Sequence, residues 1–122
     1  MDLSARPQLE DCPVRDVLSR VSDRWSMLVM LFLEAGTLRF SALGRAIPDI
    51  SQRMLSQTLR RLEEDGLLTR EVFPTIPPKV EYSLTDLGRS LLEPLKEMMR
   101  WADTNHQSIR AARQRAATVA KV

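Results

Sequence analysis

The sequence has few of the residues that build most catalytic and metal sites. Its 122 residues include one cysteine, Cys12, and one histidine, His106. A single cysteine excludes an intrachain disulfide and a cysteine-built zinc site, and it is typical of a reducing compartment. One histidine near the C-terminus leaves no histidine, carboxylate and nucleophile set, and no glycine-rich phosphate loop is present. We therefore expect no enzyme activity, no metal site and no cofactor.

Long hydrophobic runs are also missing. The longest apolar run, from Met27 to Leu33, is far shorter than the roughly 20 residues that span a bilayer. The short polar N-terminus lacks the pattern of a signal peptide. The sequence thus predicts a soluble cytoplasmic protein without a membrane partner.

Negative charge is scarce in the middle of the chain. The formal net charge is only +2, but the segment from Arg39 to Arg61 holds five arginines against one acidic residue, Asp49. Acidic residues are absent again from Thr104 to Val122. The uneven distribution of charge is more informative about binding partners than the net charge. It makes the middle of the chain the electropositive part.

One segment of this basic region has the pattern of a DNA-reading helix. Leu55, Leu59 and Leu62 recur at helical spacing and form a narrow apolar stripe, whereas arginine and glutamine occupy the opposite face. Ser51 is a good N-cap and Gly66 a good C-terminal stop. The pattern predicts a helix that docks on a core with one face and leaves the other free.

Two helical patterns lie near the N-terminus. Cys12 is placed to cap the first, which opens at Pro13 and carries apolar residues at helical spacing, namely Val14, Val17, Leu18 and Val21. Ser22 or Asp23 caps the second, which runs from about residue 24 to residue 35. That helix is apolar nearly all round, so we expect it to be a core helix.

A third helical pattern directly precedes the DNA-reading segment. Thr37 to Phe40 is too short for more than an edge strand or a turn, and Ser41 can then cap a helix that Pro48 ends. A short turn leads from Pro48 into the segment with Leu55. Two helices joined in this way are what a helix-turn-helix requires, although helical hairpins are common.

Two strand-like runs follow, over residues 67–73 and 79–84. The second alternates, with Val80, Tyr82 and Leu84 predicted to point inward. The runs form a hairpin whose tip, residues 74–78, is stiffened by three prolines. The fold class is therefore mainly α with a small β-hairpin wing (α+β), that is, a winged helix-turn-helix with N- and C-terminal dimerisation helices.

The last helical pattern begins at Thr85 and has a stripe of leucine, methionine and tryptophan, with Pro94 expected to kink it. We assign this stripe to pairing with a second chain. The predicted dimer interface comprises Val14, Leu18, Leu91, Leu95, Met98 and Trp101. The domain organisation is a flexible lead over 1–11, the winged helix with its dimerisation helices over 12–103, and a basic tail or helix extension over 104–122.

Candidate DNA contacts divide into two groups. The first half of the DNA-reading helix carries the candidates for base edges, with Arg53 the first choice for a guanine: Gln52, Arg53, Ser56 and Gln57. The candidates for the DNA backbone are Arg39, Ser41, Ser51, Arg60, Arg70, Thr75 and Lys79. Thr75, at the wing tip, is also placed to enter a minor groove. Arg60 and Arg61 are weaker candidates because Glu64 and Asp65, four residues on, can pair with them.

The order of these motifs resembles the HxlR family of bacterial winged-helix transcription regulators, which are relatives of the MarR regulators. The resemblance starts at Cys12-Pro13, passes through Ile50-Ser51-Gln52-Arg53-Met54-Leu55, and ends with Pro77-Pro78-Lys79-Val80-Glu81-Tyr82-Ser83-Leu84-Thr85-Asp86-Leu87-Gly88. It implies a homodimer that binds double-stranded DNA and represses or activates nearby genes. Two reading helices per dimer predict an inverted-repeat operator with half-sites about one helical turn apart.

The resemblance also implies that Cys12 senses oxidants or electrophiles, as the N-terminal cysteine does in some family members. The positive end of a helix dipole favours a thiolate at the N-cap, whereas the acidic neighbours oppose it. With no other cysteine, oxidation can give only a bridge between chains or a mixed adduct. The alternative is a small buried cysteine with no redox role.

Two further alternatives remain open at the level of sequence. Trp25, Phe40 and Trp101 are suited to line a pocket for a small effector between the core and the dimer helices, or to anchor the core. The arginine face of the reading helix is suited to DNA, or to a solvated surface of a winged helix that binds another protein.

Overall fold

The computed structural model describes residues 12–120, and the predicted flexible lead over residues 1–11 lies outside them. The elements in chain order are α1 (Pro13–Val21), α2 (Ser26–Leu33), β1 (Leu38–Arg39), α3 (Phe40–Ala46), α4 (Gln52–Glu64), β2 (Leu68–Phe73), β3 (Lys79–Leu84) and α5 (Asp86–Ala120). Helices α3 and α4 are the predicted helix-turn-helix, and β2 with β3 is the predicted wing. The fold class is confirmed.

Helix α4 forms where its caps and apolar stripe predict it. The Ser51 hydroxyl accepts a hydrogen bond from the backbone N–H of Met54 at 3.0 Å, so Ser51 is the N-cap. The stripe of Leu55, Leu59 and Leu62 is buried and packs α4 against α1, α2 and β2. Gly66 has φ +75°, the left-handed conformation that stops the chain from continuing as helix.

Helix α1 also begins as predicted, but its apolar side chains are not in the core. The Cys12 Sγ accepts a hydrogen bond from the backbone N–H of Arg15 at 3.4 Å, and Pro13 is the first helical residue. Val21 is buried at the C-terminal end of the helix. The other apolar residues, Val14, Val17 and Leu18, remain exposed in the single chain.

Helix α2 differs from its prediction at its start and on one face. It begins at Ser26 because the Asp23 carboxylate accepts hydrogen bonds from the backbone N–H groups of Trp25 and Ser26, at 3.0 and 2.6 Å. The assignment of α2 as a core helix is wrong for one side. The helix packs against α3, α4 and β3, and its other side leaves Leu28 and Phe32 exposed.

Helix α3 begins one residue before its predicted cap. Arg39 is extended and stands at the N-cap position, so Ser41 lies inside the first turn and is not a cap. The preceding strand β1 is the predicted short edge strand. It pairs with β3, and this makes a three-stranded antiparallel sheet in the order β1-β3-β2.

The wing is an antiparallel hairpin that runs from the pair Leu68 and Leu84 to the pair Phe73 and Lys79. Its first strand starts one residue later than predicted. Tyr82 and Leu84 are buried and Val80 is half-buried, which confirms that the alternating residues of β3 face inward. Tyr82 is paired with Leu38 on one side and with Arg70 on the other.

The junction between wing and α5 requires a glycine. Thr85 caps the helix, since its hydroxyl accepts from the Gly88 backbone N–H at 3.0 Å and donates to the Gly66 carbonyl at 2.6 Å. A Cβ on Gly88 would lie 2.0 Å from the carbonyl oxygen of Leu67. The helix can therefore approach the end of the α4–β2 connection only without a side chain at position 88.

The chain from Leu91 onward forms a second compact unit. It is helical without interruption through Pro94 and on to Ala120, so the described part of the predicted tail is a helix extension. Met98 and Trp101 are 50% and 58% exposed, whereas Leu95 is only 5% exposed. The assignment of this stripe to a dimer interface stays a prediction.

Within residues 12–120, no helix combines the length and the apolar character needed to cross a bilayer.

Candidate nucleic-acid interface

The exposed face of α4 presents cationic and amide side chains that have no partner in the part of the chain that the structure describes. Gln52, Arg53, Gln57 and Arg60 are all exposed. Over residues 12–120, none of these four side chains makes a hydrogen bond or an ion pair. Since the apolar stripe holds the opposite face against the core, these donors and acceptors are held outward on a rigid helix.

Three adjoining cavities connect this face to α3 and to the wing, and all three are lined by Ser56. The helix groove, about 290 Å³, is lined by Arg53, Ser56, Gln57 and Arg60. The arginine–tyrosine cavity, about 310 Å³, is lined by Ser56, Arg60, Glu63, Arg70 and Tyr82. The α3 cavity, about 380 Å³, is lined by Arg39, Phe40, Ser41, Ser56, Pro78, Val80 and Tyr82. The fold thus brings seven of the predicted DNA contacts to one continuous surface.

Four predicted DNA contacts do not line these cavities. Gln52 is exposed at the start of α4, and the Ser51 hydroxyl caps that helix. Thr75 donates its hydroxyl to the Pro77 carbonyl at 2.8 Å within the wing tip. The Lys79 ammonium lies over the ring of its cross-strand partner Phe73, 5.5 Å from the ring centroid.

The predicted pairing of Arg60 and Arg61 with Glu64 and Asp65 is wrong. Arg20 of α1 takes both carboxylates, with Nη2 at 3.2 Å from Glu64 Oε2 and Nε at 3.0 Å from Asp65 Oδ2. These two hydrogen bonds, the one to Asp65 first, raise the pKa of Arg20 above its ordinary value.

A contact between helices therefore replaces the pairing expected within one helix. Arg61 pairs instead with Asp23, Nη2 to Oδ2 at 2.8 Å, and is half-buried between helices. Arg60 is left without an ion pair among the described residues and lines two of the cavities. Arg60 is therefore a stronger candidate for a DNA contact than its sequence predicted, whereas Arg61 has a structural role in its ion pair with Asp23.

Sequence reasoning missed Tyr82 as a residue that lines the cavities. Alternation along β3 correctly placed the ring inward, and an inward tyrosine is ordinarily assigned to the core. Tyr82 lines two cavities, one of them together with Arg70, and its pairing with Arg70 depends on strand register. No local signal in the sequence contains that information.

Cys12 lies apart from the cavities, at the start of α1, and is 8% exposed. Within residues 12–120, no cluster of histidine, cysteine and carboxylate side chains is arranged to hold a metal ion.

The arrangement defines a class of protein. A short helix, a turn, a second helix with a free basic face and an adjacent β-hairpin are the parts of a winged helix-turn-helix, in which the second helix enters the major groove of DNA. Residues 20–110 match the HxlR-like helix-turn-helix family, and the chain belongs to that family. It is a transcription regulator with a DNA-binding helix-turn-helix.

Relatives from several organisms agree with this class. The chain is 44% identical over 104 residues to the uncharacterized HTH-type transcriptional regulator YtfH of Escherichia coli, covering 85% of this chain and 82% of the relative. The structure of a transcriptional regulator ytfH from Salmonella typhimurium has a TM-score of 0.77 at 41% identity, covering 93% of this chain and 97% of the other. Both relatives are transcriptional regulators, and the first is of the HTH type.

A second similar structure is that of the redox regulator HypR in its reduced form. Its TM-score is 0.76 at 38% identity, and the match covers 82% of this chain and 99% of HypR. The oxidized form of HypR matches with a TM-score of 0.70 at 41% identity, over 77% of this chain and 97% of that chain.

Proposed function

We propose that the protein is a homodimeric repressor that recognises an inverted-repeat operator with two copies of α4. The observation that carries the proposal is the unpaired basic and amide face of α4, continuous through Ser56 with the wing and with the start of α3. A surface-exposed arginine normally finds a carboxylate or solvent. Several arginines converging on cavities beside a helix-turn-helix are suited to the phosphates and base edges of duplex DNA.

The roles within this surface follow from position. We assign Arg53, Ser56 and Gln57, which are exposed in the first two turns of α4, to base edges, together with Gln52, the first residue of the helix. The other predicted contacts are placed for phosphates: Arg39, Ser41, Ser51, Arg60, Arg70, Thr75 and Lys79. Phosphate contacts set the register of the protein on the duplex, and base contacts choose the sequence.

The dimer is supported by apolar surface that one chain leaves uncovered. Helix α1 exposes Val14, Val17 and Leu18 to between 39% and 47%, although each is at the spacing of a buried helix face. In the second unit, Met98 and Trp101 are exposed to a similar or greater extent. Apolar helix faces of this kind mark interaction sites, and a second copy would cover them in both chains by symmetry.

A gel-shift and footprinting experiment tests the DNA-binding proposal. The protein is titrated onto DNA from upstream of its own gene and onto an unrelated fragment of equal length, at a stated salt concentration. The expected result is a footprint with two-fold symmetry and two protected blocks about one helical turn apart. A winged helix that serves only protein–protein contact would give equal, weak retardation of both fragments and no footprint, and this result would overturn the proposal.

We further propose that Cys12 switches DNA binding through its thiol. The support is its position at the first turn of the proposed dimer helix, together with the similarity to HypR, a redox regulator with reduced and oxidized structures. Two Cys12 thiols, one from each chain, lose two electrons and two protons to an oxidant such as diamide. The product is one disulfide between chains and the corresponding hydrazine. Because Cys12 is buried, the start of α1 must open for the reaction to occur.

The test compares wild type with Cys12→Ser in operator binding, each with and without diamide and then with dithiothreitol. Serine retains the capping role at this position, so basal DNA binding should be unchanged. Diamide should alter operator affinity only in the wild type, and dithiothreitol should reverse the change. Equal responses of the two proteins would eliminate Cys12 as the switch.

A further inference from the structure

We infer that the arginine–tyrosine cavity is a phosphate seat in which the Tyr82 hydroxyl donates a hydrogen bond to a phosphate oxygen of the DNA backbone. The inference rests on the proposed DNA-binding function. It adds Tyr82, which the sequence pattern assigned to the core, to the residues that contact DNA. The ring of Tyr82 would pack in the core, while its hydroxyl would contact the phosphate.

The position of Tyr82 follows from the sheet. Leu38 and Arg70 are its register partners on the two neighbouring strands, so the three side chains project from the same face of the sheet. The residue is 7% exposed, which fixes the ring in place. Over the described residues, the hydroxyl has no hydrogen-bond partner and is not sealed away from solvent. A tyrosine hydroxyl in such a setting ordinarily finds a partner.

The lining of the cavity selects the class of ligand. Its lining includes two residues with guanidinium groups, Arg60 and Arg70, and two with hydroxyls, Ser56 and Tyr82. Sites for neutral organic effectors are mostly apolar with few polar groups, and this cavity has the opposite character. Guanidinium and hydroxyl donors around one space of about 310 Å³ match the oxygen atoms of a phosphate group.

The phosphate is assigned to DNA because of what adjoins the cavity. Ser56 and Arg60 also line the helix groove, where Arg53 and Gln57 are the proposed base contacts. A duplex that places its base edges against Arg53 must pass one of its backbones over the space between α4 and the wing. The seat would thus be filled at the same time as the major groove is read.

Glu63 is the one group lining the cavity that opposes an anion. Among the described residues it forms no ion pair, so its charge is not neutralised by a neighbour. A carboxylate here lowers affinity for every phosphate equally. We expect Glu63→Gln to tighten binding to DNA of any sequence, the reverse of the effect expected for Arg70→Gln.

The test measures binding of the full chain to two duplexes, the upstream fragment and a random-sequence duplex, over a series of salt concentrations. Tyr82→Phe keeps the ring and removes the hydroxyl, so it should weaken binding to both duplexes by about tenfold for each chain, the value of a hydrogen bond to a charged group, and by about 100-fold for the proposed dimer. The slope of log K against log salt should not change, since no charge is removed. Arg70→Gln should reduce that slope by about 0.9 for each chain, which is about 1.8 for the proposed dimer.

Ser83→Ala is the matched control for loss of a hydroxyl from the same strand. The Ser83 hydroxyl hydrogen-bonds with Thr37 at 2.6 Å and lines none of the three cavities, so its removal should leave DNA affinity unchanged. Melting temperatures of all variants identify any that are misfolded. Tyr82→Phe with wild-type affinity for both duplexes would overturn the seat while leaving the proposed function intact.

A separate arm distinguishes free anions from DNA. Inorganic phosphate is titrated against chloride of equal ionic strength, and thermal stability is recorded for wild type and Arg70→Gln. Stabilisation by phosphate that is lost in Arg70→Gln supports the seat even if no duplex is bound, in which case the proposed function alone fails. If the wild type binds no duplex and phosphate gives no stabilisation, both are overturned.

Discussion

At the scale of single residues, Arg53 has the most direct consequence for specificity. Its guanidinium is exposed in the first turn of α4 and has no intramolecular partner among residues 12–120. It can therefore form a bidentate contact with a guanine without first breaking an ion pair. We predict that Arg53→Ala costs about 1–3 kcal/mol of operator binding and relaxes sequence preference at one base pair of each half-site.

Competition titrations against operator variants with single base changes measure this preference. Arg113→Ala serves as the matched control, since Arg113 is exposed on α5 and lines none of the three cavities. Operator affinity that is equal for Arg53→Ala and wild type would show that another residue reads the base.

Lys79 differs from Arg53 in the kind of contact that it offers. Its ammonium lies over the Phe73 ring at the base of the wing tip. An ammonium can present a point charge to a phosphate, but it cannot make the bidentate contact with a base that a guanidinium makes. We predict that Lys79→Ala weakens binding to all sequences about equally and lowers the salt slope by about one. Lys79→Arg should retain the slope. A loss confined to the operator would contradict the assignment to the backbone.

At the scale of elements, the junction of wing and α5 sets a steric limit. A Cβ at position 88 would collide with the Leu67 carbonyl, whereas a Cβ at Gly44, in α3, would lie 3.9 Å from Leu55 Cδ2, an ordinary contact. We predict that Gly88→Ala lowers the free energy of unfolding by about 1–3 kcal/mol through overpacking. Gly44→Ala should raise it by up to about 1 kcal/mol, because alanine favours helix.

Chemical denaturation of the two glycine variants side by side gives both values. The comparison separates a steric effect from the general effect of replacing glycine. If the two variants shifted stability in the same direction and by the same amount, close approach at position 88 would not be the cause.

Ion pairs connect α1 to the last turn of α4. Arg20 bonds both Glu64 and Asp65, and these contacts raise its pKa above the ordinary arginine value. A raised pKa means that the contribution of Arg20 to stability is fully present below its unfolded-state pKa and is lost only as the pH rises through the folded value. Arg20 is therefore charged throughout the neutral range. The proposed dimer helix is thus tied to the proposed reading helix by contacts that neutral pH does not break.

At the scale of the whole molecule, the proposed dimer determines affinity as well as symmetry. Leu18 is 47% exposed on α1, and an aspartate there would place a charge within the proposed interface. We predict that Leu18→Asp yields a folded monomer whose operator affinity falls by about 10²–10⁴-fold, because two linked reading helices bind with avidity. Sedimentation equilibrium and operator titration measure the two effects.

Ser19→Asp is the control for this substitution. Its side chain is also exposed and adjoins Leu18 in the chain, but it points to a different side of α1, where its hydroxyl donates to the Asp16 carbonyl. It should leave both the mass and the affinity unchanged. A dimer of unaltered stability in Leu18→Asp would place the interface elsewhere.

Much of this architecture could be predicted because its signals are local. The leucine stripe, the Ser51 cap and Gly66 determine α4 by spacing and by backbone preference within one segment. The alternation of β3 likewise placed Tyr82 and Leu84 inward. The same local rules identified Arg53 and Arg60 as exposed, since a side chain opposite a buried stripe must face solvent.

Only the tertiary structure decided which side chains from distant parts of the sequence are in contact. Local spacing favoured pairing of Arg60 with Glu64, but the carboxylate is bound by Arg20 from another helix. The apolar composition of α2 predicted a core helix, but neighbouring elements cover only one of its sides. The sequence by itself determined which segments form helices and strands and which faces of α4 and β3 are apolar, because these depend on residues a few positions apart. Strand register and helix packing, which join Tyr82 to Arg70 and free Arg60, depend on residues far apart in the chain and exist only once it has folded.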